Sequence, residues 1–399
     1  VSKSTRFKVP IVDLRAQYDR IRTEIGLVID EVLASQSFIL GPVVERFERQ
    51  IAAFLRCDHG IGVASGSDAL LLALMALGVG PGDGILVPTF TFFSTVSSIT
   101  RLGATPLFID SDPESYLTST SALHAFLEER CRFRGDHLMD VKSALRVRTL
   151  LPVHLFGRCC PMSEFAALAK KYRLTIVEDV AQACGARCLM EQEWKFAGTT
   201  GDVGCFSFFP SKNLGGYGDG GLVTVGRKDL ADRVRVLRVH GERTKYHHDS
   251  IGLNSRLDSI QAAVLSVKLR YLEAWCEQRI ERAHHYYRLF QESGLVGRQI
   301  VQVPPISLGK AHVFNNYVLS VERRDELKRY LDDHGIQTAV YYPLPLHLQR
   351  CFAYLGYHEG DFPVAELAAT QVLALPMYPE MTLEQQEFVV GKIRDFFAA

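Results

Sequence analysis

The sequence has no excess of either charge: 45 lysines and arginines stand against 45 aspartates and glutamates in 399 residues. Such a chain carries no electrostatic footprint for nucleic acid or for an anionic membrane, so any phosphate it binds must be held by local chemistry. It lacks long apolar runs, none approaching the roughly 20 residues that span a bilayer. Its first stretch, Val1 to Pro10, is polar and basic and does not read as a signal peptide. It also lacks paired cysteines. The nine are odd in number and scattered, with no Cys-x-x-Cys spacing, which speaks against a zinc ribbon or a disulfide framework and for free thiols in a reducing compartment. The expectation is a cytoplasmic protein with no nucleic-acid partner, no membrane partner and no metal.

What is present is material for a sizeable core, with 47% hydrophobic and 23% charged residues. That length and composition fit a large domain and a smaller one, placed at 1–257 and 258–399. Apolar residues at helical spacing run from Ile11 to Ala34, and Pro42 heads a second helix to Leu55. Short apolar runs then alternate with helical patterns. Strands are expected at Ile61–Ala64, Ile85–Pro88, Pro106–Asp110, Thr149–His154 and Thr175–Glu178, with helices at Asp68–Leu77, Phe93–Leu102 and Met162–Tyr172. This rhythm argues for an α/β fold with a mostly parallel central sheet. One long helical stretch is expected from Asp258 to about Phe290, followed by a small C-terminal α/β domain. The basic, poorly periodic segment Glu128–Arg148 reads as a surface excursion.

Four segments carry chemistry. Lys212 follows a buried strand and stands among serines and glycines, from Phe206 to Gly221. Glycines let a backbone approach a bound group closely, and a desolvated lysine loses its proton readily, which suits it to a Schiff base. Glu178 and Asp179 end an apolar strand, where open α/β sheets place ligands. A carboxylate there can pair with a protonated ring nitrogen, although a helix N-cap would also explain it. Ser65-Gly66-Ser67-Asp68 runs from a strand into a helix whose backbone N–H groups and hydroxyls form a phosphate seat. Thr89 to Phe93 supplies aromatics that either stack on a flat ring or pack in the core. Together they offer every contact that a planar, phosphorylated, basic aldehyde needs. His240, His247 and His248 have no metal-ligand spacing and read as a solvated loop.

With those residues in view, the sequence resembles the DegT/DnrJ/EryC1/StrS family of sugar aminotransferases over nearly its whole length. The resemblance rests on SFILGP (37–42), SGSDAL (65–70), VPTFTFFST (87–95), PVHLFG (152–157), VEDVAQACGA (177–186), FSFFPSKNLGGYGDGG (206–221), RVHGE (238–242), LNSRLDSIQAA (253–263), YYPLPLHLQ (341–349) and LPMYP (375–379). It implies the fold-type I, aspartate aminotransferase-like architecture, with pyridoxal 5'-phosphate as cofactor. By that likeness Lys212 carries the cofactor and moves the proton, and Asp179 pairs with the pyridine nitrogen. Gln182 lies beside the phenolic oxygen, Phe92 stacks on the ring, and Gly66, Ser67 and Ser207 contact the phosphate. Asn254 matches a residue that reaches the phosphate from a neighbouring subunit, which implies a homodimer with shared active sites. The implied reaction moves an amino group from L-glutamate to a UDP- or dTDP-linked keto-sugar, at carbon 3. His154, His240, Arg256, Tyr341, Tyr342 and His347 match positions near the substrate. Tyr341 departs from the family, which often has His before Tyr-Pro. Relatives that dehydrate the sugar carry His where this chain has Lys212. A cyclitol ketone as acceptor, and a non-catalytic regulatory relative that binds the cofactor or a sugar nucleotide, stay open.

Overall fold

The computed structural model describes residues 8–306 and 309–398. Residues 1–7, which include most of the stretch read above as unlike a signal peptide, lie outside the described residues. Asp13 caps the first helix, α1 (Leu14–Ser35), by accepting the N–H groups of Arg15 and Ala16, both at 3.0 Å. Pro42 occupies the first turn of α2 (Pro42–Leu55). Then come β1 (His59–Val63), α3 (Gly66–Ala76), β2 (Asp83–Pro88), α4 (Phe93–Thr100), β3 (Thr105–Ile109) and α5 (Thr120–Arg130). They are followed by β4 (Cys131–Arg134), β5 (His137–Asp140), β6 (Arg146–Leu150), α6 (Met162–Tyr172), β7 (Thr175–Asp179), β8 (Arg187–Met190) and β9 (Glu193–Phe196). The large unit continues with β10 (Val203–Ser207), β11 (Gly221–Val225), α7 (Lys228–Leu237), β12 (Glu242–Thr244), β13 (His247–His248) and α8 (Ser259–Leu269). The remainder is α9 (Leu272–Glu292), β14 (Tyr317–Ser320), α10 (Arg324–Asp333), α11 (Pro363–Gln371), β15 (Val372–Leu375) and α12 (Leu383–Ala398).

The main sheet runs β1-β11-β10-β7-β6-β2-β3, with β11 antiparallel to both its neighbours and the pairs from β10 to β3 parallel. Strand β2 is buried at every residue and the central strand β7 at all but its first, as strands covered on both faces must be. The mostly parallel α/β sheet expected from the alternation is therefore present. Among the described residues no helix is long and apolar enough to cross a membrane.

Four expectations are corrected. The stretch after Asp258 is two helices, because amide bonds from Arg270 to Val267 and from Tyr271 to Lys268 tighten the chain at their junction. Both junction side chains also bond Glu24 of α1. The segment Glu128–Arg148 is not a loose excursion. It holds the end of α5 and the β4–β5 hairpin, which joins the sheet where Met139 pairs with Arg146. The strand expected at Thr149–His154 is β6, which starts and ends earlier. The boundary between 257 and 258 does not divide the cores either. The large core takes in Ala262, Leu265, Leu272 and Cys276, whereas the smaller one gathers Ala283, Tyr286 and Phe290 with Tyr317, Leu375 and Ile393. The start of α9 packs on the large core and its later turns on the smaller one, while Val313, Leu346, Phe352 and Ala365 return the chain to the large core.

The hairpin's anchor is Asp140, fully buried, which accepts from Arg130 Nη2 at 2.6 Å and from Ser143 Oγ at 2.5 Å. Burial alone would raise its carboxyl, but Arg130 and Ser143 outweigh it and the pKa falls below the ordinary carboxylate value. The depressed folded pKa means this stabilisation is present above about pH 4 and is lost as pH falls further. Asp140→Ala is expected to lower stability by about 2–3 kcal/mol at pH 7. Urea unfolding would check it, and the gap to the parent protein should narrow in acid.

Candidate active site

Strand β7 ends in two adjacent carboxylates, and the strand's period of two points them to opposite faces. Glu178 is fully buried. It accepts from His154 Nε2 at 2.9 Å and from the amides of Gly198, Thr200 and Gly201 at 2.8, 2.8 and 2.6 Å. Desolvation would raise its pKa, but these donors win and hold it ionised below its ordinary value. Asp179 faces a cavity of about 450 Å³. Its Oδ2 accepts from Thr95 Oγ1 at 2.9 Å and its Oδ1 from the Ala181 amide at 3.1 Å. Here burial wins and the carboxyl is raised, relieved only in part by those bonds and by the charge of Lys212. A buried carboxylate in that state is completed by a cation brought into the cavity.

Lys212 lines the same cavity. Its loop leaves β10 and folds back at once, with Lys212 N–H bonded to the Phe209 carbonyl at 2.9 Å and Gly216 N–H to the Phe208 carbonyl at 2.7 Å. Gly215 is required there, since a Cβ would sit 2.2 Å from the Pro210 carbonyl oxygen. Asn213 secures the loop from behind by donating to the Val313 carbonyl at 3.3 Å. Desolvation lowers the lysine ammonium to about 8, against an opposing pull from Asp179.

The start of α3 forms another wall. Ser65 caps the helix by accepting the Asp68 amide at 3.1 Å, and Gly66 and Ser67 line the cavity beside Ser207 of β10. A Cβ on Gly66 would stand 2.6 Å from that of Ser207, so only glycine lets the helix start this close to the strand end. Ser67 Oγ lies 2.7 Å from Ser94 Oγ. Two backbone amides and several hydroxyls at a helix N-terminus are the chemistry of a phosphate seat. Phe92, at the head of α4, leaves 54% of its surface exposed with its ring towards Tyr342, centroids 6.1 Å apart. Gln182 donates through Nε2 to the Tyr342 hydroxyl at 3.0 Å while its Oε1 takes the Phe156 amide, which fixes the amide's orientation. These residues fit a flat ring with a phosphate, a basic nitrogen and a carbonyl that Lys212 can reach.

Of the residues expected at the site, Gly66, Ser67, Phe92, Asp179, Gln182, Ser207, Lys212, Tyr341 and Tyr342 line this one cavity. Five do not. His154 is not a substrate contact: it is fully buried, one ring nitrogen on Glu178 and the other accepting the Cys160 amide at 3.0 Å. His347 is likewise spent in the core, between Thr89 Oγ1 at 2.8 Å and Glu366 Oε1 at 3.0 Å. Asn254 and His240 lie exposed on a neighbouring segment, where Val239 bridges to Asn254, and half-buried Arg256 follows. Sequence reasoning missed Thr95, Ser94, Asp219, Asn315 and Asn316. Thr95 stood inside a segment already singled out. Ser94 stood in that same segment and Asp219 in the glycine-rich loop after Lys212, and the consecutive asparagines before β14 were the available signal for Asn315 and Asn316.

The family model described as the DegT/DnrJ/EryC1/StrS aminotransferase family matches residues 19–394. A Geobacillus stearothermophilus relative named a pleiotropic regulatory protein is 46% identical over 98% of this chain and 98% of its own. An Acidithiobacillus ferrooxidans relative, named a UDP-N-acetyl-3-dehydro-alpha-D-glucosamine 3-aminotransferase, is 40% identical over 97% of each. Among solved structures, S. venezuelae DesV in complex with a ketimine intermediate superposes with a TM-score of 0.86 at 39% identity, covering 97% of this chain and 98% of that one. NtdA from Bacillus subtilis with bound cofactor PMP gives 0.84 at 27%, covering 98% and 86%.

The lowered lysine is directly measurable. In the cofactor-free protein, acetylation of Lys212 followed by peptide mass should reach half its maximal rate near pH 8, and Asp179→Asn should move that midpoint lower by removing the opposing charge. A midpoint near that of an exposed lysine would contradict the burial argument.

Proposed function

This chain belongs to the DegT/DnrJ/EryC1/StrS aminotransferase family, and from that premise we propose that it moves the amino group of L-glutamate to carbon 3 of a UDP- or dTDP-linked keto-sugar. The observation that carries this reading is the convergence of Lys212 and Asp179 on one cavity beside a glycine-opened helix start. The names of relatives that act at carbon 3, on UDP- and dTDP-linked sugars, support the choice of substrate. When bound, pyridoxal phosphate supplies an electrophilic carbon and a conjugated ring that takes up the electron pair of a broken C–H bond.

Everything else falls to the chain's own residues. Asp179, oriented by the Thr95 hydroxyl and the Ala181 amide, keeps a ring nitrogen protonated. Gly66, Ser67 and Ser207 seat the phosphate, Phe92 covers one ring face, and Gln182 stands by the phenolic oxygen. Lys212 holds the cofactor at rest. Once released, its Nζ takes the proton from the α-carbon of glutamate and later delivers one to the sugar carbon that receives nitrogen. A lysine near 8 suits both duties, because neither its neutral nor its charged form is scarce at neutral pH. Tyr341 and Tyr342 face the incoming substrate. Asn254, exposed and outside its own chain's cavity, reaches the phosphate of a partner subunit, and His240 and Arg256 approach with it. That makes the working unit a homodimer. Free cysteines agree with action in the cytoplasm.

The test is release of 2-oxoglutarate from L-glutamate in the presence of a UDP- or dTDP-linked 3-keto-sugar, with the 3-amino sugar identified by mass and NMR. Lys212→Ala should cut turnover about 10³-fold or more, and Asp179→Ala roughly 10²-fold. Full activity in the lysine variant would overturn the mechanism. A second reading, a regulator that binds without turnover, draws on the name of the 46% identical relative. Pyridoxal phosphate trapped on Lys212 by borohydride, with no 2-oxoglutarate formed from any keto-sugar or cyclitol ketone, would select it.

A further inference from the structure

Cys159 and Cys188 are 188 − 159 = 29 residues apart, a spacing that belongs to no local metal motif. The fold brings them together. The turn at Leu155–Gly157 returns the chain so that Cys159 meets Cys188 of β8, with the Cys159 amide tied to the Ala311 carbonyl at 2.8 Å. His154 completes the group: one imidazole nitrogen and the two sulfurs all lie within 4.8 Å of one another. His154 and Cys188 are buried and Cys159 is half-buried. None of the three lines the cavity that holds Lys212.

We propose that Cys159, Cys188 and His154 bind a soft divalent cation of the zinc class, and that its arrival loosens the support beneath Asp179. Two sulfurs and an imidazole select zinc-like ions over magnesium or calcium, which take oxygen. The charges balance. The entering dication displaces one proton from each thiol to solvent, and two thiolates then neutralise it, so no net charge is left in an apolar place. Three protein donors leave one coordination position for water or an added ligand.

The link to the active site runs through His154. Its Nε2 holds Glu178 at 2.9 Å, its Nδ1 accepts the Cys160 amide at 3.0 Å, and its own amide donates to the Asp179 carbonyl at 3.0 Å. A metal bond takes one of the two ring nitrogens, so the ion gains His154 at the expense either of the Glu178 bond at the end of β7 or of the Cys160 amide bond that fixes the imidazole against it. Without the ion every one of those bonds is made. The site is therefore a point of inhibition and not a structural requirement.

The experiment uses the holoenzyme, stripped with a chelator and titrated with Cd²⁺ and then Zn²⁺. Metal content by mass spectrometry and the cadmium–thiolate ultraviolet band report binding; affinity for pyridoxal phosphate reports the link. One ion per chain, a thiolate band and at least tenfold weaker cofactor binding are expected. Cys188→Ser should bind pyridoxal phosphate normally without metal and lose both the band and the inhibition, while Cys351→Ser, which removes an exposed thiol, should retain both. A band that survives in Cys188→Ser, or a Cys159–Cys188 disulfide formed under mild oxidation with no metal uptake, would overturn the site. Uptake at this site that leaves cofactor affinity unchanged would overturn the link. The band and the metal count do not depend on turnover, so they stand or fall separately from the aminotransferase reading.

Discussion

Two neighbouring carboxylates end the central strand under burial, and the surrounding structure is arranged to make that tolerable. Glu178 faces the body of the protein, where the turn at 198–201 and His154 supply its donors. Because that side is fully bonded, the strand end cannot rotate, and Asp179 is fixed towards the cavity with only Thr95 and a single amide for company. A buried ion with all its partners is inert. One with too few keeps the free energy to hold an incoming cation.

Burial acts on the other half of the site with the opposite sign. It raises Asp179 and lowers Lys212, since in each case it disfavours the charged form. Their mutual attraction offsets this only in part. The result is a lysine able to exchange its proton near neutral pH and a carboxylate that gains from an incoming cation. The glycines serve the same end by geometry. Gly66 and Gly215 permit contacts that any Cβ would forbid, so the helix start and the lysine loop close around a small volume.

Much of this was legible in the residues. The alternation of apolar runs gave the mostly parallel sheet, Met162–Tyr172 gave α6, and the glycine-flanked lysine with the strand-end aspartate gave the chemistry. The misreadings came from places where short patterns have more than one outcome. Helical periodicity continues through Arg270 and Tyr271, and only Glu24 of α1 marks the break. The charge-rich stretch after Glu128 has no clean alternation because Asp140 is buried with a partner instead of solvated.

By itself the sequence determined what depends on neighbours along the chain: strand and helix periods, caps, tight glycine turns and the motif that resembles sugar aminotransferases. Only the tertiary structure decided which matching side chains share a cavity. It spent His154 on the buried Glu178 and His347 on the half-buried Glu366, left Asn254 exposed beside its own site, and brought Asn315 and Asn316 in from the segment before β14. It also assembled His154, Cys159 and Cys188 into one soft-donor cluster. The physical reason is that hydrogen bonds and close packing are satisfied between residues tens to hundreds of positions apart, and a residue's type does not reveal which distant partner will claim it.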